Sequence, residues 1–315
     1  MRRGSTGGDG EMIIDAHSHL GDILYPGGGA LIWKRGVKKR IRLDIVTTSE
    51  LGLHKTLSGK AGALFYRTFL DLVTRCERAR NETATLENMR RSLEDAGVDK
   101  TVCLPVPPHV TFEDLLEASR QDSAVIPFTG VDFEHWGDVQ ARLDRDVKAG
   151  ARGLKLHPII QKEPLNSRRT FEAVEAFAPH GLPVLFHCGV SSYYLGPEKT
   201  RNQVMLYGSI EHARALVSAF PKVTFVAGHA GLFQVKEVMD LLGPFRNVCV
   251  DVSFQPPGGI RELLAVFGPE RVMYASDWPW GNRPPAIRAV RIACRGDSKL
   301  EDLVFRQNAE RILKL

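Results

Sequence analysis

From about residue 80 onward, short apolar, β-branched runs alternate with longer stretches in which apolar positions recur every three or four residues. The short runs predict strands over 12–16, 101–106, 125–131, 153–157, 183–187, 223–228, 248–252 and 272–276. The longer stretches predict helices over 86–96, 112–119, 139–149, 170–178, 210–220, 234–242, 260–267 and 285–292, with a last one over 301–313. Eight strand-then-helix units predict an α/β fold, a single (β/α)8 TIM barrel spanning 11–315. An open doubly wound sheet would want a glycine-rich phosphate turn after its first strand. Here that turn is His17-Ser18-His19.

One segment breaks the rhythm. Residues 20–80 separate the first strand from the first helix of the alternation, far more than a barrel loop usually takes. The middle of this insertion, 61–78, reads as helical. Because it leaves the C-terminal end of a strand, it should lie over the mouth of the barrel, as a lid or as the contact of a homodimer. Residues 1–10 read as a flexible tail. Their basic residues have no apolar stretch behind them, so they do not make a signal peptide, and no run approaches membrane-spanning length.

Composition narrows the classes. An apolar share of 43% and a charged share of 25% are ordinary for a globular protein. The 42 basic and 37 acidic residues leave a net charge of +5, which suits a small anionic substrate. Part of the excess sits in one run over 34–42, KRGVKKRIR, read as a solvated face and not as a nucleic-acid surface. The five cysteines are odd in number and form no C-x-x-C pair, which argues against a disulfide framework or a zinc ribbon and for a reducing cytoplasm.

The chemistry gathers at strand ends. Asp15-Ala16-His17-Ser18-His19 closes the first strand, and two histidines at i and i+2 share a face, so both imidazoles can reach one metal ion. Lys155 and His157 end the fourth strand in GLKLHP, His187 the fifth in LFHCG, His229 the sixth in VAGHAG and Asp277 the eighth in SDWPW. In a barrel those ends converge on one mouth, where catalytic residues sit. Any one of them could be a satisfied strand-end polar group. All of them together, on these strands, point to a site.

Taken together, DAHSH, GLKLHP, LFHCG, VAGHAG and SDWPW resemble the amidohydrolase superfamily, more closely its amidohydrolase-2 branch, over nearly the whole chain from Met12. That branch holds hydrolases and non-oxidative decarboxylases such as aminocarboxymuconate semialdehyde decarboxylase. The resemblance implies His17, His19, His187 and Asp277 as metal ligands and His229 as an acid–base or polarising group. It leaves Lys155 with two readings. A carboxylated Lys155 would bridge two metals, as in the similar KLYP of dihydroorotases; a free, substrate-facing amine is favoured slightly. His157 is either a further site residue or a strand terminator.

Three imidazoles and a carboxylate suit Zn2+, with Mn2+ possible: one ion, or two if Lys155 is carboxylated. Such an ion lowers the pKa of a bound water toward about 7, and Asp277 is placed to take its proton. The expected reaction is hydrolysis of an amide, lactone or ester of a small molecule. The alternative is non-oxidative decarboxylation of an aromatic or unsaturated acid. Weaker expectations attach to Asp251, which could orient a histidine, and to Trp278, Trp280, Tyr193, Tyr194 and Arg201, which could meet substrate. Cys188 follows a proposed ligand and should point away from the axis, as a small hydrophobe.

Overall fold

The structure, a computed structural model, describes residues 12–41, 43–45, 64 and 67–315. The expected tail over 1–10 lies outside these residues, as do 42, 46–63, 65 and 66 of the insertion; of the helix expected over 61–78, the described part is continuously helical from Leu70. Among the described residues, nine parallel strand segments follow in chain order: β1 (Ile14–Ser18), β2 (Lys100–Cys103), β3 (Val125–Pro127), β4 (Thr129–Gly130), β5 (Leu154–Leu156), β6 (Val184–Phe186), β7 (Phe225–Ala227), β8 (Val248–Asp251) and β9 (Val272–Met273). They pair as β1-β2-β3 and as β4 through β9. The strand predicted over 125–131 is thus split at Phe128. Phe128 N–H donates to Cys103 O at 3.1 Å and Thr129 N–H to Gly153 O at 2.9 Å, so this strand turns from its left-hand neighbour to its right-hand one.

The remaining seam lies between the first and last strands. Ala16 N–H donates to Tyr274 O (3.1 Å), Asp277 N–H to His17 O (2.8 Å) and His19 N–H to Trp278 O (2.7 Å). The ring of hydrogen bonds closes there, on the residues that carry the chemistry. The last strand, predicted to Ser276, keeps regular pairing with β8 only through Met273, because its later residues turn to β1.

Among the described residues these α-helices accompany the strands: α1 (Leu70–Asn81), α2 (Leu86–Ala96), α3 (Phe112–Gln121), α4 (Val139–Ala149), α5 (Arg168–Phe177), α6 (Glu198–Arg201), α7 (Ile210–Ala219), α8 (Val235–Leu242), α9 (Pro257–Phe267), α10 (Arg283–Cys294), α11 (Ser298–Asp302) and α12 (Asn308–Leu313). Thr85, Thr111, Asp138 and Ser167 cap four of them through side-chain oxygens that accept from the first turn. The long helix predicted over 301–313 is broken by a π-turn at Leu303–Gln307. The Val304 carbonyl is diverted to accept Tyr274 N–H at 2.9 Å, which ties this segment to the last strand.

Two apolar layers result. One lies between strands and helices. The other fills the barrel with Ile14, Ala16, Val102, Leu104, Ile126, Phe128, Leu185, Val226, Cys249, Met273 and Ala275, joined by Ala309, Ile312 and Leu313 of α12. The last helix therefore plugs the end away from the mouth. Gly153 is needed in this layer: a Cβ there would come within 2.2 Å of the Phe128 ring. The interior parity Leu185, Met273 and Ala275 runs on to His187 and Asp277, which stand at the top of the filled layers.

Under the mouth lies a buried ion pair, Arg283 Nε to Asp15 Oδ2 at 3.0 Å, both side chains fully buried. Removing one partner leaves the other charge buried and uncompensated. Arg283→Met should lose about 3–5 kcal/mol in chemical denaturation, whereas Arg288→Met, on the exposed face of the same helix, should change stability little. Equal effects would show that the pair does not hold the seam.

Candidate metal centre

Each functional side chain arrives by a specific local device. In β1 the register with β2 slips between Asp15 and Ser18. Ile14 and Ala16 face the interior, and the bulge turns His17 and His19 inward as well. At the top of β7 the chain leaves strand geometry: His229, Ala230 and Leu232 take positive φ of 58°, 45° and 55°. That brings His229 to the axis one residue out of strand phase. Gly228 makes room for it, since a Cβ there would press on Phe186 O at 2.9 Å and His17 Cε1 at 3.3 Å. Asp277 also has a positive φ, 56°. Such strain in non-glycine residues collects where a site demands it.

The hydrogen bonds assign the tautomers. His17 Nδ1 lies 2.8 Å from Asp251 Oδ2 and His19 Nδ1 2.9 Å from Leu104 O. Both acceptors require an N–H, so each Nε2 keeps its lone pair. Those two Nε2 atoms each lie 3.5 Å from Asp277 Oδ1. Ser253 Oγ donates to Asp251 Oδ1 at 2.6 Å, so it accepts from His229 Nδ1 at 2.8 Å, and His229 too has its Nε2 lone pair free. His187 differs. Its Nε2 faces Gly189 O at 3.0 Å and so carries the proton, while Nδ1 faces the Tyr193 hydroxyl at 3.3 Å.

Among the described residues, ligand atoms of His17, His229 and Asp277 lie within 4.8 Å of one another. His19 joins through Asp277. His187 stands beside His229, ring centroids 5.1 Å apart, and stacks on His157 at 4.5 Å. With Nε2 held by Gly189 O, the lone pair His187 can offer is that of Nδ1, which faces the Tyr193 hydroxyl.

Lys155 is buried at the centre, its Nζ 3.3 Å from His17 Nε2. Burial lowers its pKa to about 8, against the pull of Asp277 and Asp251. Burial likewise holds His17, His19, His157 and His229 well below the usual histidine range and His187 at about 3. The site is therefore a nest of neutral imidazoles. Asp277 is pushed well above the usual carboxylate range, chiefly by burial, with Lys155 opposing. Its Oδ1, buried between two imidazole lone pairs, has no hydrogen-bond partner. Lys155 Nζ is a donor to His17 Nε2, which leaves Asp277 Oδ1 facing the imidazole acceptors without a donor of its own, an arrangement that fits a divalent cation.

The weaker expectations separate. Asp251 orients His17 and also accepts His229 N–H at 3.0 Å. Trp280 packs edge-on against Tyr193, 5.5 Å between centroids. Trp278 is held under the Arg283 guanidinium, and Tyr194 is turned to Leu24 O; both pack the mouth from outside it. Arg201 is exposed at the end of the short helix α6 and is not brought to the cluster. Cys188 lies in the layer behind the strands, and all five cysteines are buried and free. Ser253 and Phe254, which touch His229, carry no motif in the sequence. The Asp251-x-Ser253 spacing was the one available signal. Among the described residues no helix is long and apolar enough to cross a membrane.

A family model described as amidohydrolase matches residues 69–315. No curated protein sequence matches the chain. Solved structures do. A 5-carboxyvanillate decarboxylase from Novosphingobium aromaticivorans, complexed with manganese and 4-hydroxy-3-methoxy-5-nitrobenzoic acid, is 16% identical with a TM-score of 0.65, covering 98% of each chain. A 2,6-dihydroxybenzoate decarboxylase from Rhizobium is 12% identical with a TM-score of 0.60, covering 96% of this chain and 99% of that one. A probable 2-pyrone-4,6-dicarboxylic acid hydrolase from Acinetobacter baumannii, with citric acid bound, is 14% identical with a TM-score of 0.58, covering 96% and 99%.

The Asp251 contact carries a prediction. Loss of the group that orients a ligating histidine costs about 10–100-fold in metal affinity. Asp251→Asn should raise the Kd for zinc by that factor in competition with a chromogenic chelator. An unchanged Kd would mean that His17 does not depend on Asp251.

Proposed function

The chain belongs to the amidohydrolase family, and from there we propose that it is a divalent-metal-dependent hydrolase acting on an amide, lactone or ester of a small anionic molecule. One observation carries the metal: Asp277 Oδ1, buried without a donor, 3.5 Å from the Nε2 atoms of both His17 and His19. His17, His19, His187 and Asp277 would hold the ion, zinc by preference for a nitrogen-rich set and manganese as an alternative. His229 is geometrically nearer to Asp277 than this assignment requires, so the roles of His187 and His229 are a point for experiment. When bound, the ion supplies Lewis acidity and a water acidic enough to attack at neutral pH.

The protein's own groups do the rest. Asp277 would serve as general base and then general acid, taking a proton from the attacking water and giving it to the leaving group. His229, neutral and held by Ser253, presents its Nε2 lone pair and so accepts a hydrogen bond from the attacking water. Lys155 places a positive charge beside both, where it binds a substrate anion and stabilises charge developing on oxygen. Hydrolysis is favoured over decarboxylation for the same reason. An ammonium beside a departing carboxylate stabilises the starting state more than the transition state.

The decarboxylase reading keeps two supports. Tyr193, Trp280 and the partly exposed Phe254 give the mouth aromatic walls suited to a planar acid, and two of the similar solved structures are decarboxylases of aromatic acids. The readings separate in one assay. Zinc-loaded protein is offered lactones, esters and amides of small carboxylic acids and, separately, aromatic acids, in water enriched in oxygen-18. Hydrolysis predicts label in a product carboxylate, and its loss on chelation with recovery on adding metal back. Release of carbon dioxide without label would replace this reading with the other. His187→Ala should empty the centre, whereas His229→Ala should keep the ion and lower kcat by about 10²–10⁴-fold.

A further inference from the structure

Strand β5 delivers two side chains to the mouth, and the chemistry of the centre engages only the first. Lys155 pairs in register with Leu185 of β6, an interior residue, and its Nζ stands 3.3 Å from His17 Nε2. His157 lies two residues on and so shares that face. His187 N–H donates to Leu156 O at 2.9 Å, which carries the register past the strand ends and sets His157 beside His187. Their rings stack, 4.5 Å between centroids and 10° from parallel. Tyr193 meets the His157 ring edge-on at 5.2 Å. The side chain is thus fixed in the interior, only 3% of the residue exposed.

Ending the strand does not account for this ring. Gln161 already closes the turn: its Oε1 accepts His157 N–H at 2.7 Å, its own N–H donates to His157 O at 3.0 Å, and its Nε2 donates to Val131 O at 2.6 Å. The imidazole adds one contact, Nδ1 accepting Ile160 N–H at 3.4 Å. That bond places the proton. A ring nitrogen that accepts carries no hydrogen, so the ring is neutral and Nε2 bears the N–H. This N–H meets no acceptor among the described residues. It is also not among the polar atoms sealed without a partner, so the accessible part of the residue includes it. The ring is held by His187 on one face, by Tyr193 at one edge and by the turn at Nδ1, and its last polar atom opens to the mouth. Nearby, His17, His19 and His229 present lone pairs and Asp277 an oxygen. Lys155 and His157 present hydrogens.

We infer that His157 is a substrate-binding residue, whose Nε2–H donates to a carboxylate that the substrate carries beside its reacting bond and that Lys155 attracts. The inference deepens the proposed hydrolase and rests on that reading of the site: it makes the small anionic molecule a carboxylic acid. The ammonium is a point charge on a flexible stem, whereas the stacked imidazole is a fixed donor, so Lys155 supplies attraction and His157 supplies direction. A nitrogen that can only donate takes an acceptor oxygen and rejects an amine in the same place.

Phenylacetate is the probe, titrated calorimetrically into the zinc-loaded full-length chain. Two variants divide the ring's nitrogens between them. Gln puts an amide nitrogen where Nε2 stands and gives up the Nδ1 contact. Asn puts an oxygen where Nδ1 stands and gives up the far donor. A hydrogen bond to a charged group corresponds to about tenfold or more in affinity, so His157→Asn should weaken binding by that factor while His157→Gln stays within about threefold of the wild type. A ring kept only for its turn gives the reverse order. Nitrogen-15 spectra of the histidine-labelled wild type supply a reading that needs no variant to fold. The His157 signals should show Nε2 protonated and Nδ1 bare, and Nε2 should shift on saturation with phenylacetate. Any other order of the two variants, no binding by the wild type, the opposite tautomer or an unmoved Nε2 would overturn the assignment. Metal content measured on the same samples keeps the two proposals apart. An empty centre with the expected order intact removes the metal and spares His157; a loaded centre with both variants binding like the wild type does the reverse.

Discussion

Asp15 holds the seam of the barrel. Its carboxylate accepts from His17 N–H, Ser18 Oγ, Ser276 N–H, Ser276 Oγ and Arg283 Nε at 3.3, 3.1, 2.9, 2.6 and 3.0 Å. A buried carboxylate is tolerable only when its lone pairs are all engaged, and here the donors come from both strands that must meet. Arg283 extends the clamp to Thr101 and to Ser92. The residues so tied stand next to His17 and His19 on one strand and next to Asp277 on the other. The interaction that closes the ring therefore also sets the spacing of the proposed ligands.

Above that clamp the chain leaves regular strand geometry at some functional groups and keeps it at others. The slip in β1 redirects two histidines, and left-handed backbone occurs at His229, which it re-aims, and at Asp277; Lys155, His187 and Asp277 lie on the interior parity of their strands. Phe254, at φ 64°, is a third such residue, its ring 5.8 Å from His229. This strain is affordable because the filled barrel beneath is dense and closed by α12 at its far end. Asp251 then joins two of the histidines, accepting from the His17 side chain and the His229 backbone.

Much of this was legible in the sequence. The eight strands and their helices followed from periodicity, because each strand is buried on both sides and each helix on one. DAHSH and SDW marked the ends of the first and last strands, and those ends do meet. Other features could not be read. The split at Phe128 depends on an absent side chain at Gly153, across a neighbouring strand. Asp251 was flagged only as a possible partner of a histidine, since the residue it orients is 234 positions away. His229 reaches the axis through backbone angles that no periodicity encodes.

The most direct measurement of the central claim is anomalous diffraction at the zinc edge from crystals of zinc-loaded protein. The account predicts a peak bounded by Asp277 Oδ1 and the Nε2 atoms of His17 and His19, where a buried acceptor has no donor. A fourth contact from His187 would complete the assignment. No peak after loading, or a peak away from Asp277, would contradict it.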